Sequence, residues 1–99
     1  PVLERAFRRL IERHAILRTN YLDIDGVAMQ RINDTFEFNL EYADISHVAP
    51  HLRDSEGDRL WQQALMDPID LRRDLMIRAK LVRYGDDRHR LIVTQHNIC

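Results

Sequence analysis

Long apolar runs, paired cysteines and an excess of charge of either sign are all missing from this chain. No stretch approaches the ~20 consecutive apolar residues a helix needs to span a bilayer, which argues against a membrane protein. The N-terminus opens directly on a helix-like pattern and carries no signal-peptide apolar core. A single cysteine rules out an internal disulfide and suits a reducing compartment. The 15 basic and 16 acidic residues leave a net charge of −1, so nothing drives the chain toward nucleic acid or anionic lipid. A Gly-rich phosphate loop, a paired-cysteine metal spacing and a nucleophile elbow are absent as well. So are internal repeats, low-complexity stretches and flexible linkers. The expectation is a cytoplasmic protein without nucleic-acid or membrane partners.

What is present describes an ordinary globular polypeptide. With 99 residues, 44% hydrophobic and 31% charged, it has room for one small domain or a subdomain with a modest core. Leu3, Phe7, Leu10, Ile11 and His14 recur at helical spacing, with Glu4, Arg5, Arg8, Arg9 and Glu12 on the other face. Pro1 suits the first turn, where its missing N–H costs nothing. Strand-like runs over 17–24 and 27–32 flank Asp25-Gly26, a strong hairpin signal. Phe36, Phe38, Leu40 and Tyr42 alternate with Glu37, Asn39 and Glu41, which predicts a third strand with one buried face. Residues 44–54 read as a loop or broken turn around Pro50.

Ser55-Glu56-Gly57-Asp58 has the form of a capping box opening a helix, with Leu60, Trp61, Ala64 and Leu65 on its apolar face and Pro68 beyond its end. Two further strands, 77–84 and 89–96, meet through the turn-rich Gly85-Asp86-Asp87-Arg88. The fold class is therefore α+β, in the order helix-strand-strand-strand-helix-strand-strand.

Five histidines are scattered through the chain. His47 and His51 could share a helical face, but Pro50 lies between them and a third ligand is wanting. No metal site is expected. Asp86 and Asp87 are adjacent carboxylates for which a turn is sufficient reason.

Three stretches carry more. They are Arg13-His14-Ala15-Ile16-Leu17-Arg18-Thr19 at the helix-to-strand junction, Asp67-Pro68-Ile69-Asp70-Leu71 followed by Leu75-Met76-Ile77-Arg78-Ala79, and Thr94-Gln95-His96-Asn97-Ile98. Together they resemble the condensation domains of non-ribosomal peptide synthetases, which have the chloramphenicol-acetyltransferase-like fold. In that family a helix ends in Arg-His-x-x-Leu-Arg-Thr, a Pro-Phe-Asp-Leu segment leads into a strand carrying Leu-Arg-Ala, and the next strand delivers His-His-x-x-x-Asp-Gly. The resemblance runs over essentially all 99 residues. It implies that residues 1–99 are the N-terminal portion of a condensation domain, cut inside the last motif, within a two-layer sandwich. The plainer alternative is an unrelated α+β domain whose Arg18 and Arg78 are surface charges and whose His96 merely ends a strand.

By this resemblance His96 takes the place of the first histidine of the pair and is structural. Asn97 stands where the family has its second, catalytic histidine. A register shifted by one would make His96 that second histidine, at the cost of a deletion after Pro68. Ile69 replaces the usual phenylalanine. Arg18 is the expected salt-bridge partner of the motif aspartate, which the chain does not contain, so Arg18 would be left without that expected partner here. Arg78 receives no catalytic role.

The implied reaction joins a carrier-bound acyl or peptidyl thioester to the amine of a carrier-bound aminoacyl group. The implied partners are upstream and downstream carrier-protein domains, the remainder of the condensation domain and a neighbouring adenylation domain. No cofactor is bound directly, and the phosphopantetheine arms belong to the carriers. The fragment by itself is expected to be inactive. Two further classes stay open: a degenerate condensation-like docking or recruitment domain, and a related acyltransferase using coenzyme A or an alcohol acceptor.

Overall fold

Helix α1 (Val2–Arg13) follows from the apolar spacing, and it buries Phe7 and Ile11 while Leu10 and His14 remain exposed. The computed structural model describes residues 1–98. The lone cysteine is Cys99 and lies outside the described residues. After α1 a 3-10 turn (Ala15–Arg18) delivers the chain to β1 (Thr19–Ile24), which pairs antiparallel with β2 (Val27–Ile32). The first strand thus begins two residues later than the apolar pattern predicts. Asp25 and Gly26, at φ 51° and 80°, form the two-residue turn between them. Positive φ at both positions matches the right-handed twist of the flanking strands.

The predicted third strand is displaced. Residues 36–40 belong to no strand, and β3 (Glu41–Asp44) begins only where the alternation was expected to end. The cause is a side-chain anchor rather than a ladder. Phe38 stacks on Phe7 with ring centroids 5.4 Å apart, and the Arg8 guanidinium donates to the Phe38 carbonyl at 3.0 and 3.3 Å. Burial of alternate side chains therefore produces a strand-like pattern without a strand.

The second helix also starts earlier than its capping signal. A 3-10 turn (Pro50–Leu52) leads into α2 (Arg53–Met66), so Ser55 sits inside the first turn and its hydroxyl donates back to the Leu52 carbonyl at 2.9 Å. No side-chain cap is made. Of the expected apolar face Leu60 is buried and Ala64 half-buried, while Trp61 and Leu65 are exposed.

Strands β4 (Ile77–Gly85) and β5 (Arg88–Gln95) are joined by the Asp86-Asp87 turn, as the sequence predicts. With β3 they form a sheet of order β3-β4-β5, in which β3 runs parallel to β4 with Glu41 opposite Lys80 and Ala43 opposite Val82. A parallel pair needs a long crossover, and α2 supplies it.

The chain forms two units. The first comprises 1–39, 69–77 and 95–99, the second 40–68 and 78–94. In the second, α2 lies on the sheet through Ile45, Leu60, Val82, Tyr84 and Ile92. Its rim is charged: Arg88 pairs with Asp54 at 2.6 Å and Arg90 with Asp58 at 2.9 Å. Among the described residues no helix is long and apolar enough to cross a membrane, and no group of side chains could hold a metal ion.

Candidate functional site

The three motif stretches, far apart in sequence, converge in the first unit on one residue. Met76 is fully buried. Its N–H donates to the Leu17 carbonyl at 2.9 Å, and its carbonyl accepts the His96 N–H at 3.0 Å. The Arg-His-x-x-Leu-Arg-Thr stretch, the segment after Asp-Leu and the terminal His-Asn pair are thus held side by side by main-chain bonds. Main-chain bonds of this kind fix a site more tightly than side-chain contacts, because the backbone has only two soft torsions per residue.

Arg18 sits at the corner between α1 and β1, half-buried. Its Nε donates to the Ile11 carbonyl at 3.2 Å, Nη2 to Glu12 at 3.2 Å and Nη1 to Asn33 at 2.8 Å. The first two are carbonyls that the last turn of a helix leaves without partners. A cation there also meets the negative end of the helix dipole. Arg18 is therefore no free surface charge, which corrects the plainer alternative; the carboxylate expected to pair with it is not among these partners. A guanidinium has five N–H donors, so the three in use leave others for a carboxylate.

His96 follows the end of β5, half-buried, and its Nδ1 accepts the N–H of Ile98 at 3.1 Å. That bond shapes the turn holding Asn97 and leaves Nε2 as the N–H of the neutral ring. Asn97 is exposed in this turn, and its amide has no hydrogen-bond partner among the described residues. An exposed amide, with two N–H donors and an oxygen acceptor, can orient a polar substrate. It cannot accept a proton at neutral pH. Arg18 makes no side-chain hydrogen bond to His96 or Asn97 among the described residues.

Ile69 is buried, in the position expected of a phenylalanine. Beyond it the Asp70 carboxylate accepts the Arg72 N–H at 2.9 Å and the Asp70 N–H donates to the Asp74 carboxylate at 2.8 Å, so the segment closes on itself. In the second unit Arg78 is no loose strand charge. It pairs with the Asp67 carboxylate at 2.6 Å and donates to the Asp67 carbonyl at 3.2 Å, at the C-terminus of α2. His47 and His51 are exposed and share no third ligand among the described residues. Sequence reasoning passed over Asn20 and Asn33, which the structure places directly beside Arg18 and the 70–76 segment. The available signal was a polar residue where the apolar pattern of β1 begins.

Comparison with known proteins identifies the family. The family model of the condensation domain matches residues 1–99. The chain is 31% identical over 99 residues to bacitracin synthase 2 of Bacillus licheniformis, covering 97% of this chain and 3% of that protein. It is 35% identical over 96 residues to gramicidin S synthase 2 of Aneurinibacillus migulanus, covering 97% and 2%. The chain therefore spans only a few per cent of the length of these relatives. Among solved structures, a variant of the starter condensation domain of the rhizomide synthetase RzmA superposes with a TM-score of 0.83 at 21% identity, over 98% of this chain and 23% of that one. At that identity the likeness speaks to the fold, and it bears out the α+β, chloramphenicol-acetyltransferase-like expectation. On the motif stretches, the fold and the family match over its full length, the chain belongs to the condensation-domain family.

Proposed function

We propose that this chain is part of a condensation domain that forms an amide bond between a carrier-bound acyl or peptidyl thioester and the amine of a carrier-bound aminoacyl group, in the cytoplasm. The observation that supports this reading best is the Leu17–Met76–His96 ladder, which assembles the family's motif stretches into one place. In the reaction the amine nitrogen attacks the thioester carbonyl carbon, the tetrahedral intermediate loses the N–H proton, and the C–S bond breaks to release the donor carrier's thiol.

The chain's own groups have separate parts in this scheme. Arg18 holds the α1–β1 corner and offers its remaining N–H donors to a carboxylate of the motif. His96 shapes the turn through Nδ1. Asn97 aims its amide oxygen at the attacking amine or its NH2 at the developing oxyanion. The proton leaves to water or substrate, since Asn97 cannot take it. Without general-base help the rate should fall about 10²- to 10⁴-fold below that of a histidine enzyme.

The test is single-turnover amide formation by the whole synthetase with charged donor and acceptor carriers. Asn97→His should raise the rate at least ~10²-fold at neutral pH. Acyl transfer to coenzyme A or an alcohol, with no amide, would reassign the chain to a related acyltransferase. No transfer to any acceptor, before or after the substitution, would leave a docking domain.

A further inference from the structure

We propose that Asn20 is a positioning residue: buried in the first unit, it fixes the 70–76 segment and, through Met76, the place where His96 and Asn97 stand. The proposal rests on the amide-forming reading and extends it to a residue outside the chemistry of the motifs.

Asn20 is 3% exposed, and its amide is fully engaged. Nδ2 donates to the Asp74 carbonyl at 2.9 Å and to the Leu71 carbonyl at 3.2 Å. Oδ1 accepts from Asn33 Nδ2 at 2.8 Å and from Arg31 Nη2 at 3.5 Å. The orientation is set from the β2 side, because Asn33 Oδ1 in turn accepts from Arg31 Nε at 3.1 Å. A flipped amide would point its donors at two donors. Asn33 Nδ2 also reaches the Arg18 carbonyl at 3.0 Å, so the network begins at the corner that Arg18 caps.

The far end of the network is the 70–76 segment. Leu71 accepts a second bond, from the Tyr21 N–H at 3.0 Å, and the Asp74 N–H returns to the Asp70 carbonyl at 2.9 Å. Gripped at Leu71 and Asp74 and closed on itself, the segment moves as one piece. Two residues after Asp74, Met76 holds Leu17 on one side and His96 on the other. A shift of the segment is therefore passed by covalent bonds and one main-chain hydrogen bond to the turn that carries Asn97. Buried side-chain amides with all partners satisfied select one geometry rather than merely adding stability.

The experiment uses the intact synthetase. Asn20→Asp keeps the shape but presents acceptors to two carbonyls. The expected result is a fall of about 10²-fold in kcat for amide formation, as for a misplacement near 1 Å, with KM for the charged acceptor carrier unchanged. Hydrogen exchange in peptides covering 70–76 and 94–98 should be about tenfold faster, while peptides from β3 and α2 keep their rates. Asn33→Ala is the second variant, in case Asn20→Asp does not fold. It frees Oδ1 and should quicken exchange in the same peptides to a smaller extent. Unchanged exchange at 94–98 in every variant that folds would overturn the proposal, as would quickening spread evenly over β3 and α2. A parent enzyme that makes no amide, yet shows the local exchange effect, would overturn the functional reading and leave the positioning role in place.

Discussion

At the residue scale, Asp44 and Gly57 both depend on a neighbour that spacing does not reveal. The Asp44 carboxyl is lowered from 3.8 to about 2, first by the Ser46 hydroxyl, then by the Ser46 N–H and by Arg83. Its carboxylate accepts the Ser46 N–H at 2.9 Å and an Arg83 N–H at 3.0 Å. Since the folded value lies below the unfolded one, the stabilisation is complete above about pH 5 and is lost as the pH falls through 2. The stability gap between the native protein and Asp44→Asn, measured by urea unfolding, should be greatest near pH 6, much reduced by pH 2 and gone only below it. Exposure keeps that gap small, because solvent screens the pair. Gly57 poses a steric question. A Cβ there would meet the hydroxyl of Tyr84 and come within 2.5 Å of its ring Cζ, and Tyr84 is itself buried. Alanine gains about 1 kcal/mol of helix propensity over glycine. Forcing a core ring aside costs about 1–3 kcal/mol. Gly57→Ala should therefore be a net loss in denaturant unfolding, smaller in a Tyr84→Phe background, where the closest atom is gone.

At the scale of elements, legibility in the sequence follows the range of the interaction. The Asp25-Gly26 hairpin was readable because its cause is local: two adjacent residues that tolerate positive φ. Helix α1 was readable from Phe7 and Ile11 for the same reason. The strand expected over 36–42 failed because Phe38 answers to Phe7, more than thirty positions away, and not to a strand partner. Ser55-Glu56-Gly57-Asp58 failed as a cap because Pro50 starts a 3-10 turn that carries the helix in from upstream. Of the candidate site, the motif strings pointed to Arg18, His96 and Asn97, but the Asn20 contacts to Leu71 and Asp74 span more than fifty residues and leave no periodic trace. Arg18 shows what the string alone conceals. It ties the end of α1 to the end of β2 through three carbonyls. Arg18→Ala should cost about 2–4 kcal/mol in urea unfolding, given ~1.5–3 kcal/mol for each hydrogen bond to a charged group and strong non-additivity. Arg18→Lys should recover only part of this, because an ammonium lacks the planar fork.

At the scale of the whole molecule, apolar surface is distributed unlike that of a self-sufficient small domain. Among the described residues the large apolar side chains that are exposed outnumber those that are buried. They are also grouped. In the β1–β2 pairing the half-buried Leu22 lies opposite Met29 and the exposed Ile24 opposite Val27, so these four share one face of the hairpin, and every residue of β2 is exposed. On β5, Leu91 and Val93 are both exposed on the face opposite the buried Ile92. Single exposed leucines are ordinary, but contiguous faces mark surfaces that pack against something. β2 adds an unpaired strand edge, which can template pairing with another chain. The 99-residue polypeptide expressed alone should therefore associate as its concentration rises, seen as a growing sedimentation coefficient. Charge placed on the hairpin face by Ile24→Lys with Val27→Lys should suppress that association more than Leu91→Lys does, because the hairpin combines an apolar face with an open edge. Equal relief from both substitutions would mean that the faces alone drive association and the edge contributes nothing. A polypeptide that stays monomeric throughout would show that charged neighbours such as Asp23, Arg31 and Arg90 are enough to keep these faces in water.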